Sequence, residues 1–209
     1  MDDRGIGYRG QAATRLPPVT PNAMKPTDPI RLSKFLARVL RHEPEAAGLR
    51  LDPHGWVRVE DLLRGLRKQG LRAGFDDLVE VVETNDKRRY EFGLHRLKIR
   101  AVQGHSVPVD LGLIPSDPPE LLFHGTVVRN LDSIFAKGLT KGARHHVHLS
   151  PDVETAERAG GRWGKAVVLR VFAADMALAG HEFYRSANGV WLTDAVLPRF
   201  IGFEPTGAR

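Results

Sequence analysis

An α+β fold with two lobes follows from three features of the sequence. Apolar residues recur at helical spacing in three segments between positions 30 and 86. Two alternating segments, RRYEFG (88–93) and LHRLKIRAVQ (94–103), then read as the arms of a β-hairpin joined near Gly93. After a proline-rich break, strand-like runs dominate and few helices separate them, which predicts a small split β-sheet. Three short helices closed by a hairpin make a winged-helix pattern, so that architecture is expected for the N-terminal lobe.

Each element has a local reason. Residues 1–29 are dense in Gly and Pro, show no periodicity and are expected to form a disordered N-terminal arm. In IRLSKFLARVLRHEPEAAG, residues Ile30, Leu32, Phe35, Leu36, Val39 and Leu40 mark a helix whose extent Pro44 limits. RVEDLLRGLRKQG predicts a second helix stopped at Gly70, and GFDDLVEVVETND a third. The first lobe is bounded at 30–111, and GLIPSDPPE (112–120), with three prolines, reads as a linker. The second lobe occupies 121–204, with a tail at 205–209. Within it LLFHGT is a strand, VVRNLDSIFAKGL an amphipathic helix stopped at Gly138, and HHVHLS a strand. A helix from Val153 to about Gly160 follows, then the strand KAVVLRVFA, and GVWLTDAVLPRFIGFE supplies one or two final strands.

Composition narrows the function classes. The 209 residues carry a net charge of +6, which favours a polyanionic partner. There is no cysteine, so disulfides and thiolate chemistry are excluded. No apolar run approaches the roughly 20 residues that span a bilayer, and the N-terminus lacks the apolar core of a signal peptide. A cytoplasmic monomer without membrane association is expected.

Several short stretches concentrate reactive side chains. KGARHHVHLS (141–150) holds three histidines and an arginine within five residues. Read as a strand over 144–149, it places Arg144, His146 and His148 on one face. Metal is disfavoured because Asp152 is the only nearby carboxylate and Arg144 would repel a divalent cation. An anion or nucleotide site fits that face better, with a merely solvated strand as the alternative. LRH at 40–42 ends the first helix, where two cationic groups complement the helix dipole; phosphate capture by Arg41 and His42 explains them equally well. NDKRRYEF (85–92) leads into the hairpin with three basic residues, a weak sign of nucleic-acid contact. FHGT (123–126) sets a histidine beside residues that permit close ligand approach, and RAVQGHS (100–106) ends the wing in a polar turn.

Taken together, LSKFLARVLRH, DPHGWVRVEDLL, NDKRRYEF, IRAVQGHS, FHGT, ARHHVHLS and SANGVWLT resemble, in order and spacing, the RNA 2′-phosphotransferases of the Tpt1/KptA family. The match runs from about Arg31 to Ile201. The resemblance implies an N-terminal winged-helix RNA-binding lobe and a C-terminal ADP-ribosyltransferase-like lobe that binds NAD+ as co-substrate, with no metal. The implied activity, a transfer of phosphorus-containing groups, removes an internal 2′-phosphate from RNA, as at a tRNA splice junction. The 2′-phosphate attacks C1″ of NAD+ and expels nicotinamide. The ribose 2″-hydroxyl then attacks the phosphate of RNA-2′-phospho-ADP-ribose, giving 2′-hydroxyl RNA and ADP-ribose 1″,2″-cyclic phosphate.

The family's essential Arg, His, Arg, Arg quartet falls on Arg41, His42, Arg89 and Arg144. Arg89, which directly precedes the aromatic, is the counterpart rather than Arg88. His124, Gly125 and Thr126 match the first NAD-binding motif, His148 replaces the tyrosine of other transferase branches, and Ser150 follows it. Val190 stands where many ADP-ribosyltransferases carry a catalytic glutamate, and a phosphate dianion needs no carboxylate to activate it. Gly104, His105 and Ser106 are expected to contact substrate from the cleft between the lobes. An ADP-ribosyltransferase using another acceptor, such as a terminal phosphate, shares most of these features. A non-catalytic winged-helix regulator of nucleic acid is a third reading and leaves Arg144 unexplained.

Overall fold

The computed structural model describes residues 28–85 and 87–204; the expected N-terminal arm (all but its last two residues) and C-terminal tail lie outside them. Chain order opens with helix α1 (Pro29–Arg41), which starts one residue before the sequence expectation. Asp28 caps it by accepting from the Ile30 amide at 3.1 Å, and Pro29 needs no hydrogen-bond partner in the first turn. Leu32, Leu36, Val39 and Leu40 form its buried stripe, whereas Ile30 stays exposed. Pro44 ends α1 and opens a short 3-10 turn, Pro44–Ala47.

Next come strand β1 (Val57–Arg58), helices α2 (Val59–Lys68) and α3 (Phe75–Glu83), and strands β2 (Tyr90–Phe92) and β3 (Lys98–Ala101). The hairpin turn between β2 and β3 carries His95 and Arg96 with φ of 57° and 56°. The sequence reading had no β1: its two residues merge into the helical pattern of α2. In the structure Val57 pairs with Ile99 and Arg58 with Lys98, so β3 is the centre of an antiparallel sheet ordered β1-β3-β2. The three helices and this sheet share one core, which includes Leu36, Leu62, Leu66, Leu78, Tyr90 and Ile99.

A second core gathers residues from Leu122 to Ile201. It is built by β4 (Leu121–Val127), α4 (Leu131–Lys137), β5 (Leu139–Thr140), β6 (Val147–Leu149), α5 (Val153–Gly160) and β7 (Ala166–Phe172). α6 (Ala173–Leu178), β8 (Phe183–Arg185), β9 (Trp191–Thr193), β10 (Ala195–Val196) and β11 (Ile201–Phe203) complete it. The pairings are all antiparallel and fall into separate sheets, β11-β7-β4, β6-β9-β8 and β10-β5. The architecture is therefore α+β with several small antiparallel sheets, and GVWLTDAVLPRFIGFE supplies three strands rather than one or two. Helix α5 lies on β4 because two glycines meet there: a Cβ on Gly125 would stand 1.7 Å from the Ala156 carbonyl oxygen.

The proline-rich segment is anchored rather than loose. Pro115 bridges to Tyr184, and the Ser116 amide donates to the Phe183 carbonyl at 2.8 Å. Among the described residues no helix is long and apolar enough to cross a membrane.

Candidate active site

Helix α1 delivers Arg41 and His42 at its C-terminal end. The Arg41 carbonyl, which no further helical turn can satisfy, accepts from the Ser106 amide at 2.9 Å and the Val107 amide at 3.3 Å. The loop that follows β3 thus caps α1. It also shapes the side chains: Gly104, at φ +85°, has no Cβ, and one built there would lie 3.5 Å from Arg41 Nη1. Ser106 Oγ and His42 Nδ1 are 2.9 Å apart. His105 turns inward instead; it is 2% exposed, and neither ring nitrogen has a partner among the described residues.

Arg89 stands just before β2, held by the Val102 amide donating to its carbonyl at 3.0 Å. Among the described residues its guanidinium reaches Asn85 Oδ1, at 3.4 Å. The adjacent Tyr90 is buried and donates its hydroxyl to the Ser33 carbonyl at 2.6 Å, tying this strand to α1. Arg41, Asn85, Arg89, Tyr90, Ser33 and Arg162 line a cleft of about 550 Å³.

Arg144 corrects the sequence reading. The strand begins only at Val147, so Arg144, His145 and His146 belong to a bend, and strand alternation does not set the direction of Arg144. A turn does: Gly142 has φ +59°, and the Arg144 amide donates to the Lys141 carbonyl at 3.1 Å. His146 and His148 still border one cavity of about 180 Å³, together with Gln103, His105, Tyr184 and Leu192.

The charges act on one another. Burial, with Arg89 and Arg144 nearby, lowers the Arg41 guanidinium to about 10. Burial, Arg41 and Arg144 lower His42 as well. His148 is driven down to about 3 by burial and Arg144, and His105 to about 4 by burial and Arg41. Among the described residues Arg41 Nε and Nη2 are buried without a partner, and no carboxylate there pairs with Arg41, Arg89 or Arg144. Guanidinium groups brought together without counter-ions repel one another and are satisfied by a bound polyanion.

A family model described as "RNA 2′-phosphotransferase, Tpt1 / KptA family" matches residues 27–195. The chain belongs to this family. It is 51% identical over 177 residues to a Hahella chejuensis protein named "Probable RNA 2′-phosphotransferase", covering 85% of this chain and 95% of that one. A Streptomyces griseus protein of the same name is 52% identical over 179 residues, 82% of this chain and 95% of its own. One from Nostoc punctiforme, also so named, is 47% identical over 172 residues, 82% and 95% of the two chains.

The remaining residues matched to the family's motifs lie on the second core. His124 donates from Nδ1 to the His148 carbonyl at 3.2 Å, since a carbonyl only accepts. Burial keeps its ring neutral, so Nε2 is left as an acceptor. Ser150 pairs by its main chain with Phe123. The two residues after His124 serve packing: Gly125 admits α5, and the buried Thr126 accepts from Asn130 at 3.2 Å. Val190 is fixed at its amide by Ser186 Oγ at 3.1 Å, just ahead of β9. Gln103, Asn85 and Arg162 border these groups and were not singled out from sequence; Gln103 and Asn85 lie inside motifs of the family match, which was the available signal.

Proposed function

We propose that this chain is an NAD-dependent RNA 2′-phosphotransferase that removes an internal 2′-phosphate from RNA, with Arg41, His42, Arg89 and Arg144 as its phosphate-site residues. The observation that carries the reading is the buried Arg41 guanidinium, which among the described residues has no partner at Nε and Nη2 and is set among further cations without a paired carboxylate. In this reading the part around the first core is a winged-helix RNA-binding lobe, and the part around the second is an ADP-ribosyltransferase-like lobe.

NAD+, as co-substrate, supplies the ADP-ribosyl group that accepts the phosphate. The residues of the second core fit such a ligand: His124 offers an acceptor at Nε2 for a ribose hydroxyl, and Ser150, bridged by its main chain to Phe123, adds a hydroxyl. The chain's own groups do the rest. Arginine forks hold the phosphate and stay charged throughout, so each transfer of negative charge occurs against a fixed positive field. His42, oriented by Ser106, binds the phosphate or moves a proton at the RNA 2′-oxygen as it leaves. The dianionic phosphate is itself the first nucleophile, consistent with Val190 rather than a carboxylate before β9.

The test is incubation of the protein with NAD+ and an RNA bearing one internal 2′-phosphate. Nicotinamide, 2′-hydroxyl RNA and ADP-ribose 1″,2″-cyclic phosphate are expected. A stable ADP-ribosylated product without cyclic phosphate would overturn the reading in favour of another acceptor.

A further inference from the structure

Gln103 sits where the two cores meet, in the loop after β3 whose neighbours already hold Arg41 and His42. Its side-chain Oε1 is placed 2.8 Å from His148 Nε2, on β6 of the other core. The state of that imidazole is fixed by its second contact. His148 Nδ1 is 3.0 Å from the His146 carbonyl oxygen, an atom that only accepts, so Nδ1 carries the hydrogen. Beyond burial, the charged or titratable groups acting on the ring are Arg144 from the 141–146 bend, Arg41 from α1 and His146 beside it. The cations and burial both favour the neutral ring.

A neutral imidazole protonated at Nδ1 presents a lone pair at Nε2. Oε1 there would set two lone pairs against each other, so the amide is assigned with its O and NH2 ends exchanged, and the NH2 donates to Nε2. Both nitrogens of His148 are then committed, and what the residue offers a ligand is its ring face. The restraint passes further, because the His148 carbonyl accepts from His124 Nδ1.

We propose that Gln103 is a positioning residue: by donating to His148 Nε2 it locks that ring and fixes the spacing between the phosphate-site residues on α1 and the transferase strands β6 and β4. The inference rests on the proposed function, in which the RNA phosphate held on one side must meet the sugar carbon held on the other. Misplacement by about 1 Å can cost on the order of 100-fold in rate. The adjacent residues make one short loop serve both sides. Val102 donates to the Arg89 carbonyl, Gly104 takes the left-handed backbone turn beside the Arg41 guanidinium, and Ser106 meets His42.

The experiment uses the full chain with Gln103→Met and Gln103→Glu variants, read by imidazole 15N shifts and by steady-state kinetics with 2′-phosphorylated RNA and NAD+. In the parent protein His148 shows a single neutral Nδ1–H form from pH 5 to 8. Gln103→Met keeps the side-chain length, releases the ring to a mixture of tautomers and lowers kcat roughly 10- to 100-fold, while both KM values stay within about threefold. Gln103→Glu places a carboxylate beside Nε2 and raises the pKa of His148. Its rate therefore increases as pH falls through the raised value, where the imidazolium can donate to the carboxylate, and declines above it. A purely structural role would create no such profile. An unchanged ring signal and unchanged kcat in Gln103→Met would overturn the proposal. A parent protein with the locked ring but no turnover would instead sink the assigned reaction and leave the lock standing.

Discussion

Arg41 combines burial with positive charge, and a planar fork explains why the combination is kept. Lysine in its place would retain a charge but not two parallel donors for one phosphate. Arg41→Lys is expected to lower kcat/KM by roughly 100-fold, with the fold intact by circular dichroism. Arg41→Ala should slow the second step more than the first, because charge on the transferring phosphoryl peaks there. Accumulated RNA-2′-phospho-ADP-ribose is the expected readout, and equal loss of both steps would count against it. His105 bears on stability instead. Its ring titrates at 6.5 when exposed but only at about 4 in the folded chain. Between those values the unfolded chain binds more protons, so stability is present above 6.5 and is lost as pH falls toward 4. Each unit of that gap corresponds to about 1.4 kcal/mol. Urea midpoints measured from pH 7 to pH 4 should fall, and His105→Leu should lessen the slope.

Among the elements, the contact between α5 and β4 is closest at Gly125 and Gly160. A methyl group on Gly160 would lie 2.8 Å from the Gly125 carbonyl carbon, main chain that cannot swing aside. Gly125→Ala is therefore expected to cost about 1–3 kcal/mol or more, seen as a lowered melting temperature. The same elements mark how much could be read beforehand. α1, α2, α3 and α5 were legible because each writes its own apolar period, and β7 because its seven residues, apolar except for Arg170, carry a signal. β1, β5, β8 and β10 were not: two or three residues hold no period, and the pairing of β1, β5 and β10 depends on partners far away in sequence. Arg41, His42, Arg89 and Arg144 could be picked out from the sequence as positions to inspect, yet the direction of Arg144 was misjudged, since a turn at Gly142 and not a pleat determines it. Gln103 escaped notice for a related reason. Its partner His148 is 45 positions away, and nothing local distinguishes it from any polar loop residue.

At the scale of the whole molecule, a chain of net charge +6 gathers the guanidinium groups of Arg41, Arg89 and Arg162 along one cleft, where no carboxylate among the described residues pairs with Arg41 or Arg89. Binding of RNA should therefore weaken steeply with salt, through release of counterions from the phosphates. Arg89→Ala is expected to reduce the slope of log affinity against log salt by about one unit, measured by fluorescence anisotropy with a short 2′-phosphorylated RNA. A slope unchanged by this substitution would place Arg89 outside the RNA path.

The anchoring of the proline-rich crossing to β8 carries one more consequence. With Ser116 bonded to Phe183 ahead of the Pro118–Pro119 pair, a backbone broken at that pair would leave the Ser116 contact and the Asn188–Lys87 bond joining the pieces. Two separately expressed fragments, 1–118 and 119–209, should accordingly find each other on mixing and regain turnover, as a split enzyme does.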